Sequence, residues 1–192
     1  MSAPEDNVHK IIAHADKNYP VGIYYVEPAK MYMDHVRWHW HEELEINLVK
    51  EGTAQFHIGE DIIQLGEGQS ILINRDILHS IHDASSGNCV ILSMMFHPHF
   101  LFEDENSSTA ALYMKPLISD PNFHYMIFDR KDIWGRNMLT YIHNMMETNF
   151  TKEFGYELIT KSNLSEFWLK KKKKIKVQPL QRDTNAKAFS PD

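Results

Sequence analysis

The chain has 192 residues, 43% hydrophobic and 24% charged, with a net charge of −6 and a single cysteine. That is an ordinary globular composition with enough residues for one substantial core or one domain with appendages. Cys89 alone excludes an intrachain disulfide, no apolar run approaches the ~18 residues of a membrane span, and the acidic N-terminus has no signal-peptide core, so the expected location is cytoplasmic.

The charge is unevenly spread. Residues 170–192 carry eight Lys/Arg against two acids, a balance of +6 that leaves −12 on residues 1–169. So acidic a body is a poor nucleic-acid surface, because phosphate contacts need clustered cations. The run Lys170–Lys174 reads as a solvated helix end rather than a phosphate-binding patch.

Residues 1–21 form a polar, weakly patterned N-terminal arm that Pro20 closes. From 22 to 130 the pattern is one of strands. Leu44-Ile46-Leu48, Ala54-Phe56-Ile58, Ile62-Ile63-Leu65, Ile71-Leu72-Ile73 and Val90-Ile91-Leu92 are short β-prone runs. Glu51-Gly52, Gly59-Glu60-Asp61, Gly66-Glu67-Gly68 and Ser85–Asn88 separate them. Strands at this spacing, divided by glycine turns, indicate a sandwich or barrel. Residues 109–130 carry no clear period.

Within the strand region, His39-x-His41-x3-Glu45 is followed by Gly52, and Gly68-x5-Asn74 by His79. Side chains alternate along a strand, so His39, His41 and Glu45 share a face if the strand runs unbroken, and Asn47 shares it with them. The opposite face then carries Trp38, Trp40, Leu44, Ile46 and Leu48 as one apolar stripe. His57 and His82 are candidates for the same cavity by alternation. Three imidazoles and one carboxylate suit zinc, nickel, iron, copper or manganese, with no thiolate to bias the choice. The alternative is a polar pocket in which His39, His41, Glu45, Asn47, His57 and His79 hydrogen-bond a small molecule. Trp38, Trp40 and Tyr32 near the motif suggest a sugar, although alternation turns both tryptophans away from the pocket. His97-Pro98-His99 repeats the His-x-His spacing, but its proline marks the end of a strand.

From 131 to 176 the period becomes helical. Asp132 is a candidate N-cap, and Met138, Ile142, Met145 and Met146 follow at helical spacing. Leu158, Ile159, Leu164, Phe167 and Trp168 mark a second helix after a break near Gly155. An antiparallel helical hairpin is expected. Because two isolated helices bury little apolar surface, Met138, Ile142, Met145, Leu164, Phe167 and Trp168 are expected to form a homodimer interface. Residues 177–192 read as a linker.

The two histidine segments have the spacing of the cupin signatures, and the stretch from His39 to Gly52, with Gly68–Asn74 and Leu78-His79-Ser80, resembles the sensor domain of AraC-type transcription regulators. Phe154–Leu158 and Leu164–Trp168 resemble that family's helical hairpin. The resemblance covers about residues 22–170. It implies a mainly β fold: a cupin-type double-stranded β-helix, or jelly-roll barrel, followed by an antiparallel α-helical hairpin. It also implies an effector-sensing, dimerising and non-catalytic domain that binds a small molecule, with DNA contacted only through a C-terminal helix-turn-helix domain toward which 177–192 leads. A truncated regulator is the expectation. Met33 stands where cupin enzymes usually carry glycine, Asn74-Arg75-Asp76 where they carry the Pro-x-Gly turn, and Asp83 where they carry the closing asparagine. A small metal-dependent cupin isomerase or dioxygenase, using His39, His41, Glu45 and His79, is the alternative.

Overall fold

Why the apolar runs pair as they do is visible in a computed structural model, which describes residues 9–10, 19–102, 104 and 106–171. The linker 177–192 and all but a few residues of the N-terminal arm lie outside the described residues. Ten strands form two five-stranded sheets. The first runs β1(His9–Lys10), β3(His35–Trp40), β8(His79–Asp83), β5(Thr53–Ile58), β6(Asp61–Gly66). The second runs β10(Tyr125–Phe128), β7(Ser70–Ile73), β4(Leu44–Glu51), β9(Val90–Phe96), β2(Val21–Val26). All pairings are antiparallel except that of β1 with β3. The turn between β6 and β7 needs Gly68, whose φ of 76° lies in the left-handed region that a side chain disfavours.

The sheets face each other across an apolar interior. Ala54, Phe56, Ile58, Leu65 and Ile81 of the first meet Val49, Ile71, Ile73 and Ile91 of the second, all at or near zero exposure. Each of these side chains larger than alanine contributes about 1.5–3 kcal/mol relative to exposure. The outer face of the second sheet is covered as well. Leu44, Ile46, Leu48, Leu72, Met94 and Phe96 pack beneath α2(Ile133–Thr151) and α3(Tyr156–Lys171). Between β9 and β10, residues 110–118 form a π-helical turn running into the short α1(Lys115–Ile118).

Asp132 caps α2 by accepting from the Gly135 N–H at 2.7 Å. A side chain at Gly135 would collide with the Asp129 carbonyl, which fixes glycine there. Lys152, in the left-handed conformation, ends the helix.

Two expectations are corrected here. The apolar stripe is not continuous, because the chain leaves β3 at Trp40, bends through His41–Glu43 and enters β4 in the other sheet. Leu44, Ile46 and Leu48 therefore lie under the helices, while Trp38 meets His57 on the first sheet. The expected dimer interface is also interior. Met138, Ile142, Met145, Leu164 and Phe167 are at 0% exposure and Trp168 at 3%, all within the helix–sheet core. The sheet offers more apolar surface to the helices than the stripe alone suggested, because β7, β9 and β10 add to it, and no symmetric partner is needed to bury these faces.

Candidate functional site

The barrel interior changes character toward one end. His39 from β3, His41 in the bend after it, Glu45 from β4 and His79 from β8 converge there, one donor atom of each lying within 4.8 Å of the others. All four are buried. The Glu45 carboxylate is the hub. Its Oε2 lies 2.9 Å from His79 Nε2 and 3.3 Å from His41 Nε2, and its Oε1 accepts from the Ser93 hydroxyl at 2.6 Å.

The opposite side of each ring is tied to the backbone. Nδ1 of His39, His41 and His79 lies 2.8, 3.0 and 2.8 Å from the carbonyl oxygens of Arg37, Glu43 and Ile77. A carbonyl only accepts, so each Nδ1 carries the proton and each Nε2 is the edge turned toward the other donors. Metal-ligating histidines are typically oriented in this way, which fixes tautomer and ring plane. The donor set and its outer hydrogen bonds fit a divalent transition metal.

The electrostatics divide the three rings. Burial, followed by the neighbouring His79, pushes His39 down to about 4, so it is a neutral imidazole at neutral pH. Burial opposes a charge on His41 too, but the Glu45 carboxylate outweighs it and raises that ring. Glu45 is itself fully buried, yet its hydrogen bonds to His41 and His79 hold the carboxyl well below the usual range. Metal binding at these donors would displace protons, because imidazole and carboxylate ligate in their deprotonated forms.

Asn47 follows Glu45 on the same face of β4 and is completely buried, but among the described residues neither its amide nitrogen nor its amide oxygen has a hydrogen-bond partner. Ser93, its neighbour across the pair with β9, escaped the sequence reading. The signal was present: it is the one polar residue in Val90-Ile-Leu-Ser-Met-Met-Phe96.

His57 is not in this site, contrary to expectation. Ala54, Phe56 and Ile58 of β5 point inward, and His57 projects from the outer face with Trp38 and His82. Trp38 therefore lies on the far side of the sheet from the four donors.

An open cleft of about 360 Å³ adjoins the polar end, lined by Asn74–Ile77 and parts of the segment 118–124. Its wall is joined to the site, since the Ile77 carbonyl holds the His79 ring and the Asp76 N–H donates to the His41 carbonyl. The Asn74 amide donates to the carbonyls of Ile118 and Phe123, and Phe123 belongs to the core beneath the helices.

Two facing sheets enclosing this buried donor set define a cupin-type ligand-binding barrel. Residues 29–124, half of the chain, match the AraC-like ligand binding domain, and the chain belongs to that family. It is a ligand-sensing regulatory domain in class. The chain is 24% identical over 164 residues to the uncharacterized HTH-type transcriptional regulator YdeC of Bacillus subtilis, a match covering 85% of this chain and 55% of that protein. It thus spans about half the length of that relative. Crystal structures of ToxT from Vibrio cholerae share the fold. One from strain O395 superimposes with a TM-score of 0.53 at 12% identity, covering 84% of this chain and 57% of that one. Another gives 0.55 at 14%, covering 86% and 60%. No helix among the described residues is long and apolar enough to cross a membrane.

Proposed function

We propose that this chain is the effector-sensing half of a cytoplasmic AraC-type transcription regulator, that its sensing site is centred on a divalent metal held by His39, His41, Glu45 and His79, and that it does not catalyse a reaction. The observation that carries this reading is the shared tautomer: three buried imidazoles, each pinned through Nδ1 to a carbonyl, turn Nε2 toward one buried carboxylate. A bound metal would supply a Lewis-acidic point to which an effector oxygen or nitrogen could attach.

The chain's own groups do the rest. Asn47 offers an unmet donor and an unmet acceptor to an effector within the barrel. The cleft beside Asn74–Ile77 would be the approach for an effector, through the loop whose Ile77 carbonyl holds the His79 ring. A ligand that moves this loop also acts on the segment 118–124 through the Asn74 amide, and so on the packing of Phe123 beneath the helices. To shift the balance between two arrangements, it must bind one more tightly by about 1–3 kcal/mol. DNA contacts belong to a helix-turn-helix domain of the kind that the regulators carry.

The test is elemental analysis of the chain after chelator dialysis and reloading, with His41→Ala and Glu45→Gln in parallel. Uptake of one equivalent per chain, lost in both folded variants, supports the metal-centred sensor. Absence of uptake by the wild type overturns it. The cupin-enzyme alternative shares the ligand set, so turnover of a carbonyl or oxygen-dependent substrate by the metal-loaded chain would favour it instead.

A further inference from the structure

The outer face of the first sheet carries a second histidine group, unrelated to the barrel interior. His35 on β3 and His82 on β8 are direct cross-strand partners, and their rings stack with centroids 4.5 Å apart and planes 11° apart. His57 on β5 lies on the other side of His82, again at 4.5 Å between centroids. All three are half-buried, on three neighbouring strands whose inward-facing residues form the apolar core.

Each ring is held by one nitrogen. His35 Nδ1 is 2.6 Å from the Met33 carbonyl, His57 Nε2 is 2.9 Å from Gln55 Oε1, and His82 Nε2 is 3.1 Å from the Ser80 hydroxyl. Among the described residues that leaves His35 Nε2, His57 Nδ1 and His82 Nδ1 as the free edges. Such outer hydrogen bonds recur at metal-binding histidines.

We propose that His35, His57 and His82 form a second, surface site for a late divalent transition metal: zinc, nickel or copper. An all-imidazole donor set selects these ions over magnesium, calcium or manganese, which prefer oxygen. His35 stacks on His82 while His57 is tilted 37° from it, so the three free nitrogens do not yet meet at a point. Binding requires the rings to turn about the Cβ–Cγ bond, a soft torsion for histidine. Burial, then the nearby His57 and His35, also lowers the pKa of His82, which favours the unprotonated form that ligates.

The two sites are distinguishable because His39 and His79 face the barrel interior while His35, His57 and His82 lie on the outer face of the first sheet. Nitrogen-15 NMR of the imidazoles during a zinc titration reads each ring separately. The expected result is a joint shift of the His35, His57 and His82 ring nitrogens, abolished by His82→Ala. Ser80→Ala, which frees the ring of His82 without removing a ligand, should weaken uptake at this site by ~10-fold. Circular dichroism would check that both variants keep the fold. If the three rings stay unshifted at saturating zinc, or if His82→Ala leaves the His35 and His57 shifts intact, the site does not exist.

Discussion

His35 and His39 lie four residues apart on β3, and their imidazoles project from opposite faces of the first sheet: His35 stacks on His82 outside, and His39 meets His79 inside. On a regular strand, residues four apart share a face. The pairing with β8 explains the difference. His35 pairs with His82 and Val36 with Ile81, but the next pair is His39 with His79. Three steps on β3 thus match two on β8, and the extra residue at Arg37–Trp38 is a β-bulge. The bulge turns His39 toward Glu45 while leaving His35 outside. One short strand thereby serves two histidine groups back to back.

Asn47 should trade stability against binding. Both of its amide atoms are buried without a partner, and each such group costs about 1–3 kcal/mol. Leucine has nearly the same shape and no unmet hydrogen bond. Asn47→Leu is expected to raise the thermal midpoint of the ligand-free chain and to weaken effector binding. A lower midpoint would mean that the amide is satisfied in solution, most simply by a bound water.

Much of this arrangement was legible in the sequence. The glycine turns located the strands, and the spacing His39-x-His41-x3-Glu45, with His79 downstream, picked out four residues that lie together in the fold. The reason they converge was not legible. Parity along one unbroken strand gave the right face for Glu45, although the strand breaks at His41–Glu43 and changes sheet. The bulge and the sheet change are tertiary features, set by the pairing with β8 and β9, and local alternation carries no record of them. His57 was misplaced for the same reason, since its facing depends on which side of β5 meets the second sheet. The helical faces were read correctly as apolar, but what they cover depends on β7, β9 and β10, far away in sequence.

The helix faces first expected at a dimer contact instead hold the domain together. Leu164 is at 0% exposure between α2, α3 and the second sheet. Leu164→Ala should cost about 2–5 kcal/mol. Leu164→Glu places a charge where nothing pairs with it and should unfold the chain rather than dissociate an oligomer. Sedimentation equilibrium combined with circular dichroism separates the outcomes. A folded Leu164→Glu monomer arising from a wild-type dimer would return this residue to an interface.

Asp83 gives a pH dependence of defined sign. Partial burial works against its charge, but the N–H and hydroxyl of Ser85 and the N–H of Cys89 donate to the carboxylate and keep its pKa below the usual value. A carboxyl with a depressed folded pKa stabilises the fold above the unfolded value, near ~3.9, and loses that contribution as pH falls through the folded value. Asp83→Asn should therefore be less stable than wild type at pH 7, with the urea midpoints of the two converging as the pH is lowered below about 4. A constant difference across that range would remove Asp83 from the account.

Lys171 closes α3 in an unusual state. Its Nζ is buried with no hydrogen-bond partner among the described residues, 3.4 Å from the centroid of the Trp168 ring and 5.1 Å from that of Phe123. The aromatic faces favour a cation, but burial dominates and pushes the amine well below the usual lysine range. For a base with a depressed folded pKa, the unfolded chain binds the extra proton. Stability accordingly rises with pH up to the unfolded lysine value near ~10.4. Methionine keeps an unbranched apolar stem of similar length and removes the amine. Lys171→Met is expected to stabilise the chain at neutral pH by about 1–3 kcal/mol, the cost of an unmet buried polar group. The gain should shrink as the pH approaches 10, where the unfolded amine also loses its proton. Thermal or urea midpoints at pH 7 and pH 10 check both statements. A variant less stable than wild type at pH 7 would show that the amine has a counter-charge in the folded protein.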